Sequence, residues 1–357
     1  MYKFKLIIFL TIIIAVISIT VSCSSSSTNS NINKTEAKAD ISEDNADTIV
    51  TTTTKEITTT EEIKATAKIK SIGGYNDKDT KIFEIESNEI TGNFNNLYAL
   101  VSTENFNSTK DDMSIVWYLD GEHIFDSTNV NKESENVYSM GIVSEVFIPN
   151  GEYEARLKLN GVEIETKNFR VSQVDLESIN ISGSGAKSTD FFEISGGLTV
   201  FDFSNNGEGN FIVMLLDENG EELDLLVNEI GTVKGKKATY LPNGKYFINV
   251  QNGGSWEFNI LQPRNLERAT IPYTFEGNFP DISKVIFADK LIQVDYTYSG
   301  EGNFIVMLLN EFGEQQDLLV NEIGNSVGST TIKGNGNKYI ISVQISDGNY
   351  TFNLNYK

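Results

Sequence analysis

The chain has 357 residues, a formal charge of −22 and 39% hydrophobic residues, which is typical of two or three domains with packed cores. Such an acidic surface repels phosphate backbones, so nucleic acid is excluded as an expected partner. A single cysteine excludes intrachain disulfides and cysteine-clustered zinc sites.

The first 23 residues have the pattern of an export signal. Two lysines precede an uncharged apolar run at residues 6–21, which is shorter than the roughly 20 residues that a membrane-spanning helix needs. The segment resembles the signal peptide of bacterial lipoproteins, with Ser22 and Cys23 after the run and Thr20 where that family usually has leucine. The resemblance implies lipidation of Cys23 and a membrane anchor on the extracytoplasmic face of the cell membrane. An ordinary signal peptide and an uncleaved anchor are the alternatives.

Residues 24–66 are rich in Ser, Thr, Asn, Glu and Asp and contain no aromatic residue. Such a segment cannot bury enough apolar surface to offset the entropy lost on ordering. We expect a disordered tether that lifts the folded part off a membrane.

Residues 67–173 alternate short apolar strands with tight turns. Asp120-Gly121 between two such strands predicts a hairpin. The region resembles a bacterial Ig-like β-sandwich, because Trp117 stands in the place of the buried tryptophan and the run at residues 151–157 is similar to a strand that enters a tyrosine-anchored corner. The cysteine pair of antibody domains is absent, so the resemblance is one of architecture.

Residues 207–231 and 300–324 differ at only four positions, and both contain GEGNFIVMLL. Weaker similarity continues on either side, which indicates a duplicated domain rather than a solenoid unit. We call residues 174–262 repeat 1 and residues 263–357 repeat 2. Their strand and turn pattern predicts an all-β sandwich or jelly roll. It resembles accessory β-sandwiches of secreted bacterial proteins, such as pre-peptidase-type and carbohydrate-binding modules.

The repeated run FIVMLL is apolar on both sides of a strand. Phe211, Val213 and Leu215 are expected to face the core, so the intervening side chains face outward. The predicted outward face consists of Ile212, Met214, Leu216 and Leu226 in repeat 1, and of Ile305, Met307, Leu309 and Leu319 in repeat 2. Another strand, a loop, the neighbouring repeat, a partner or a second copy could cover it. We hypothesise that the two repeats pack on each other through these faces.

Four aromatic residues are candidates for stacking on sugar rings. Trp256 and Tyr350 stand at equivalent positions, and Tyr296 and Tyr298 lie in one predicted strand of repeat 2. The alternative is core packing, because Trp256 alternates with Phe258 as in a last core strand.

Metal and catalytic signals are weak. Residues 217–221 are acidic around a glycine, a pattern compatible with Ca²⁺, but the second copy places Phe312 at the turn, so a hairpin is favoured and no metal or cofactor is expected. Asp202 and Asp224 recur in repeat 2 as Asp295 and Asp317 and could bind a ligand. The only histidine, His123, lies beside a predicted turn, and no nucleophile elbow or zinc motif accompanies it. A glycosidase-type carboxylate pair stays open.

These observations predict a lipid-anchored, non-catalytic surface protein that binds an envelope or extracellular polymer. A glycan is the expected ligand, with avidity from the duplication. The alternative is a structural spacer or a protein-interaction surface, and a hydrolase is a distant third.

Overall fold

Alternating apolar and polar side chains run through most of the chain, and they produce strands throughout. The structure is a computed structural model that describes residues 64–77, 82–85 and 88–357. The predicted signal peptide, Cys23 and the tether up to residue 63 lie outside these residues. Within the described ranges every regular element is a β-strand, which confirms the all-β prediction. No helix in this part of the chain is long and apolar enough to span a membrane.

The first ten strands form two five-stranded sheets, which we call the first sandwich. The strands are β1 (Thr66–Tyr75), β2 (Ile82–Glu84), β3 (Glu89–Gly92), β4 (Asn96–Glu104), β5 (Met113–Leu119), β6 (Glu122–Ser127), β7 (Asn131–Ser134), β8 (Val137–Val143), β9 (Gly151–Leu159) and β10 (Val162–Gln173). Their orders are β2-β1-β4-β8-β7 and β3-β10-β9-β5-β6.

The core of the first sandwich contains the tryptophan and the tyrosine singled out in the sequence. Trp117 is fully buried and donates its indole N–H to Ser127 Oγ at 2.9 Å. Tyr153 is buried and donates its hydroxyl to the carbonyl of Pro149 at 3.0 Å. The Ig-like assignment itself stays a prediction.

Repeat 1 contains seven strands that are joined by hydrogen bonds into one sheet folded into two layers. They are β11 (Ile179–Ser184), β12 (Lys187–Ser188), β13 (Phe192–Asn206), β14 (Asn210–Asp217), β15 (Glu222–Ile230), β16 (Val233–Asn252) and β17 (Ser255–Leu261). The 20-residue β16 pairs with β13 along its first part and with β14 near its end. The first layer is therefore β11-β17-β13-β16, and the second layer contains the end of β16 with β14 and β15.

Repeat 2 has the same arrangement, but the counterparts of β13 and β16 are each divided into two strands. Its strands are β18 (Tyr273–Gly277), β19 (Asp281–Ile282), β20 (Ile286–Ala288), β21 (Ile292–Ser299), β22 (Asn303–Asn310), β23 (Gln315–Ile323), β24 (Ser326–Ile332), β25 (Asn337–Ile345) and β26 (Asn349–Tyr356). The first layer is β18-β26-β21-β24 and the second is β19-β25-β22-β23, with β20 also paired to β25.

The duplicated hairpins share a β-bulge, and because of it two side chains point opposite to the predicted direction. The register shifts after Val213 in repeat 1 and after Val306 in repeat 2. A bulge opposes two residues to one and breaks the strict alternation of sides. As a result Leu226 and Leu319, predicted to face outward, are buried in the two repeat cores.

The two repeats pack head to tail, not through equivalent faces. Met307 of the second layer of repeat 2 does lie in the contact, as predicted. Its partners are on the first layer of repeat 1, so the hypothesis that the two equivalent faces meet is wrong. The contact joins Met307, Leu309 and Ile340 of repeat 2 to Leu198, Val200 and Ala238 of repeat 1. Ile212, Met214 and Ile305 are half-buried, and Leu216 is buried.

The first sandwich is held against both repeats by one buried and one partly buried charged side chain. The guanidinium of Arg264 donates to the carbonyl of Gly196 at 2.7 Å and lies 4.4 Å from the ring centroid of Phe147. The Nζ of Lys338 donates to the carbonyl of Asn150 at 2.7 Å and lies 3.5 Å from a carboxylate oxygen of Glu311. The junction therefore ties loop residues of the first sandwich to repeat 2.

Candidate functional site

A polar groove lies on the outer face of the first layer of repeat 1, beside the area that repeat 2 covers. The groove has a volume of about 390 Å³. It is lined by two rows of side chains from neighbouring strands. One row is Asn180, Asn259 and Asp202, and the next is Ser182, Glu257 and Ser204.

The alternation of the three strands places these side chains outside. Phe203 and Phe258 point into the core of repeat 1, where their ring centroids are 6.1 Å apart. Their strand neighbours must therefore point to the opposite face. A sheet surface built in this way is rigid, because its backbone is paired on both sides along β13 and β17.

The six polar side chains of the groove make no side-chain hydrogen bonds to other described residues. The side-chain oxygen of Asn259 is buried without a partner. An unpaired buried acceptor costs about 1–3 kcal/mol.

Repeat 2 keeps the central aspartate–asparagine pair but satisfies it internally. Asp295 and Asn353 are cross-strand partners, as are Asp202 and Asn259. In repeat 2, Thr274 donates to the side-chain oxygen of Asn353 at 2.9 Å. Gln293 donates to the carboxylate of Asp295 at 2.8 Å. The aspartate–asparagine pair therefore has no side-chain donor in repeat 1, a state that we call open. In repeat 2 the pair accepts internal hydrogen bonds, and we call that state closed.

The two aspartates differ in their electrostatic state. Burial raises the pKa of Asp202, and nearby Lys236 opposes this increase. The hydrogen bond from Gln293 lowers the pKa of Asp295. Val200 occupies the position in β13 that corresponds to Gln293, which explains why Asp202 lacks this donor.

Two lysines of β16 at the end of the groove are engaged with repeat 2. The Nζ of Lys236 lies 3.1 Å from a carboxylate oxygen of Asp281. The Nζ of Lys234 lies 4.8 Å from the ring centroid of Phe279. Neither lysine lines the groove itself. The ionisable side chains that do are the carboxylic acids Asp202 and Glu257.

The predicted sugar-stacking residues do not line this groove. Trp256, Tyr298 and Tyr350 are only 1–3% exposed, and a ring inside the core cannot stack on an external polymer. Trp256 donates to the carbonyl of Gly185, and Tyr350 donates to that of Phe279. The stacking hypothesis is wrong for these three residues, and the core-packing alternative is correct.

Tyr296, the fourth of these residues, is half-buried at the margin of the repeat 2 core. Its ring lies over Gly328, where an added Cβ would come within 2.4 Å of the tyrosine oxygen. This position is also structural, because the ring packs 6.2 Å from Phe352.

The other candidate positions are structural turns and surface pairs. The carboxylate of Asp217 accepts from the backbone N–H groups of Asn219 and Glu221, as expected for a hairpin turn. His123 is exposed and lies 2.8 Å from Asp126. Asp224 is paired with Lys237 at 2.8 Å. Over residues 64–77, 82–85 and 88–357, no group of three His, Cys, Asp or Glu side chains is placed to hold a metal ion.

Sequence reasoning found one groove residue, Asp202, and missed the other five. The duplication contained a usable signal, because Asn259 recurs as Asn353 beside the repeated aspartate. The open state of the pair did not follow from the sequence, since it depends on which donors the neighbouring strands supply.

Comparisons with known proteins do not assign the chain to a family. No family model matches it, and no curated protein matches it. The matching solved structures include a Bacteroides ovatus protein, SGBP-B of the mixed-linkage glucan utilization locus, in complex with a mixed-linkage heptasaccharide. Identity is 12% and the TM-score is 0.18, over 52% of this chain and 56% of that chain. The chain thus spans just over half the length of that structure, and a match at this TM-score carries no argument about function.

Proposed function

We propose that this protein is a non-catalytic glycan-binding protein and that the groove on repeat 1 is its binding site. The observation that carries the proposal is the set of six polar side chains without internal partners, on a rigid sheet. Sugar hydroxyls both donate and accept hydrogen bonds, so they complement carboxylate, amide and hydroxyl groups. The volume of about 390 Å³ lies within the range of about 300–1,000 Å³ that ligand pockets occupy.

The charge of the groove favours an uncharged glycan. Asp202 and Glu257 repel carboxylated, sulfated or phosphorylated polymers, and the net charge of −22 strengthens this repulsion at low salt. Lys236, the cross-strand neighbour of Asp202, is already paired with Asp281 and does not offset these two carboxylates. A hydroxyl-rich neutral chain avoids the repulsion.

The surface location is part of the proposal and rests on the sequence alone. A lipid on Cys23 and the tether of residues 24–66 would hold the binding domains outside the cell membrane. Metabolic labelling with a palmitate analogue tests this, since the label should disappear in Cys23→Ser.

The binding test uses the chain from residue 24 onward, which retains every described residue. It is mixed with insoluble neutral and acidic polysaccharides, and its depletion from solution is measured. We expect depletion by at least one neutral polymer. Asp202→Ala and Asn259→Ala should each weaken binding about tenfold, since each removes about 1–1.5 kcal/mol of hydrogen bonding.

Matched controls come from the duplicate. Asp295→Ala and Asn353→Ala should leave binding unchanged, because that pair is closed in repeat 2. An equal loss of binding from the substitutions in both repeats, or no depletion by any polymer, would contradict the proposal.

Asp202 and Glu257 sit diagonally on neighbouring strands, about 7–8 Å apart. New reducing ends should therefore be measured as well, and their appearance would indicate a hydrolase.

A protein-interaction role is the second candidate. Phe191 is 59% exposed and contacts Phe247 edge to face at 5.4 Å between centroids. Phe247 is the cross-strand neighbour of Leu216, on the outer face of the second layer. The corresponding face of repeat 2 is covered by repeat 1. Light scattering of the wild type and of Phe191→Ser tests this role, since a lower molecular mass for the variant would support it.

A further inference from the structure

A second cavity lies between the two repeats, next to the groove. It has a volume of about 350 Å³. Its apolar lining includes Val200 and Leu261 from repeat 1 and Leu266 and Ile282 from repeat 2. Lys284 and Glu267 pair at 2.6 Å on its rim. Both repeats therefore contribute to this cavity, whereas the groove is built by repeat 1 alone.

The cavity continues the groove along two neighbouring strands. Asn259 lines the groove and Leu261 lines the cavity, two residues further along β17. Asp202 and Val200 are related in the same way on β13. Two residues along a strand are about 6.6 Å apart on the same face. The groove and the cavity thus adjoin along one face of the sheet, and we call the two together the cleft, with a polar half and a more apolar half.

We propose that the inter-repeat cavity is a second subsite for the same uncharged glycan and receives the C–H face of a sugar ring. This inference rests on the proposed function. A pyranose ring has hydroxyl groups at its edge and C–H groups on its faces. The polar half of the cleft suits the hydroxyl edge, and the half-buried side chains of Leu261, Leu266 and Ile282 suit a C–H face.

A glycan that fills both halves contacts both repeats. It should therefore bind more tightly than a fragment that fills the groove alone, because the apolar contact adds buried area. Since only the folded, packed repeats offer this cleft, a long oligosaccharide should also stabilise the protein more than a short one at equal concentration.

The test measures affinity as a function of oligosaccharide length. Cello-, manno-, xylo- and galacto-oligosaccharides of increasing length, from dimers upward, are titrated into the chain from residue 24 onward by calorimetry. We expect Kd to fall at least tenfold between the shortest binding oligosaccharide and a longer one of the same series. Leu266→Phe fills the cavity and should abolish this gain while leaving the affinity of the shortest oligosaccharide unchanged.

Two further variants keep the result interpretable. Ile282→Gln makes the cavity polar and should have the same effect if Leu266→Phe does not fold. Ile323→Phe, at a side chain that is 77% exposed on β23, is the control and should behave as the wild type.

The possible results are distinguishable. If Asp202→Ala weakens binding but affinity does not depend on length, or if both cavity variants keep the gain, the second subsite is wrong and the proposed function stands. If no oligosaccharide and no polysaccharide binds, both proposals fail.

Discussion

At the scale of single residues, the same aspartate has opposite behaviour in the two repeats. Asp202 lies partly buried without a side-chain donor, and its pKa is raised. Asp295 accepts from Gln293, and its pKa is lowered. The identity of the residue was readable from the sequence, but its state was not, because its donors come from neighbouring strands and positions that the duplication did not preserve.

This difference predicts opposite effects of removing the two charges. Ionised Asp202 disfavours folding above its raised folded-state pKa, so Asp202→Asn should raise the free energy of unfolding at pH 7, by no more than about 1 kcal/mol. Ionised Asp295 favours folding above its unfolded-state pKa, so Asp295→Asn should lower stability at pH 7. The effect of Asp202→Asn should vanish as the pH falls below the unfolded-state pKa of this carboxyl group, and that of Asp295→Asn as the pH falls below the lowered folded-state pKa.

Thermal unfolding of both variants at pH 7 and pH 3 provides the measurement. A stabilised Asp202→Asn that also binds glycan less well would show that the groove residue is kept for binding at the expense of stability. Destabilisation of that variant at pH 7 would contradict the raised pKa.

At the scale of elements, alternation in the sequence predicted most of the repeated strand correctly. Phe211, Val213 and Leu215 are all fully buried in the core, as expected. Alternation failed at Leu226 and Leu319, because nothing in the run of residues marks the position of a bulge. A different signal was available for the turns. Pro-Asn-Gly precedes a tyrosine at residues 149–153 and 242–246, and each tyrosine hydroxyl donates to the proline carbonyl.

The duplicated strand gives a matched pair of substitutions. Met307 packs against the inter-repeat cluster, whereas Met214 lies on the half-buried outer face that repeat 2 does not cover. Met307→Lys should destabilise the protein by about 1–3 kcal/mol, and Met214→Lys should change stability by less than about 0.5 kcal/mol. Urea denaturation of both variants measures this. Equal effects would mean that the two faces are covered to the same extent.

At the scale of the whole molecule, the residues that differ between the repeats determine how they assemble. The face that contains Met307 and Leu309 in repeat 2 covers repeat 1, and nearly the same face, with Met214 and Leu216, exists in repeat 1. The sequence therefore could not show which copy uses this face for packing. The surface that repeat 2 packs on differs between the copies. In repeat 1 it contains Leu198, Val200 and Ala238, and the corresponding residues of repeat 2 are Leu291, Gln293 and Thr331. Only repeat 1 therefore offers an aliphatic surface of this kind, and the chain packs in one direction.

Lys338, which contacts Asn150 and Asp120 of the first sandwich, also forms a partly buried ion pair with Glu311 inside repeat 2. The side chains of Lys338 and Glu311 are 14% and 12% exposed, and burial raises the pKa of Glu311 while Lys338 opposes it. Lys338→Met leaves the carboxylate without its cation and should cost about 3 kcal/mol at pH 7. The loss should shrink in acid, because a protonated Glu311 needs no cation.

Denaturant unfolding at pH 7 and at pH 4 measures this effect. Lys333→Met, at an exposed position of repeat 2, is the control and should be close to neutral. An equally small effect of Lys338→Met would show that neither this ion pair nor the contacts of Lys338 with the first sandwich contribute to stability.

The outer edge of repeat 2 has a consequence for self-association. The first layer of this repeat ends at β24, whose seven residues carry no charge and whose Val327 is 82% exposed. The corresponding part of β16 carries Lys234, Lys236 and Lys237, and lysines on an edge oppose the addition of foreign strands. Repeat 2 lacks this protection, so we expect β-augmentation and fibril growth to begin at β24 in concentrated solutions.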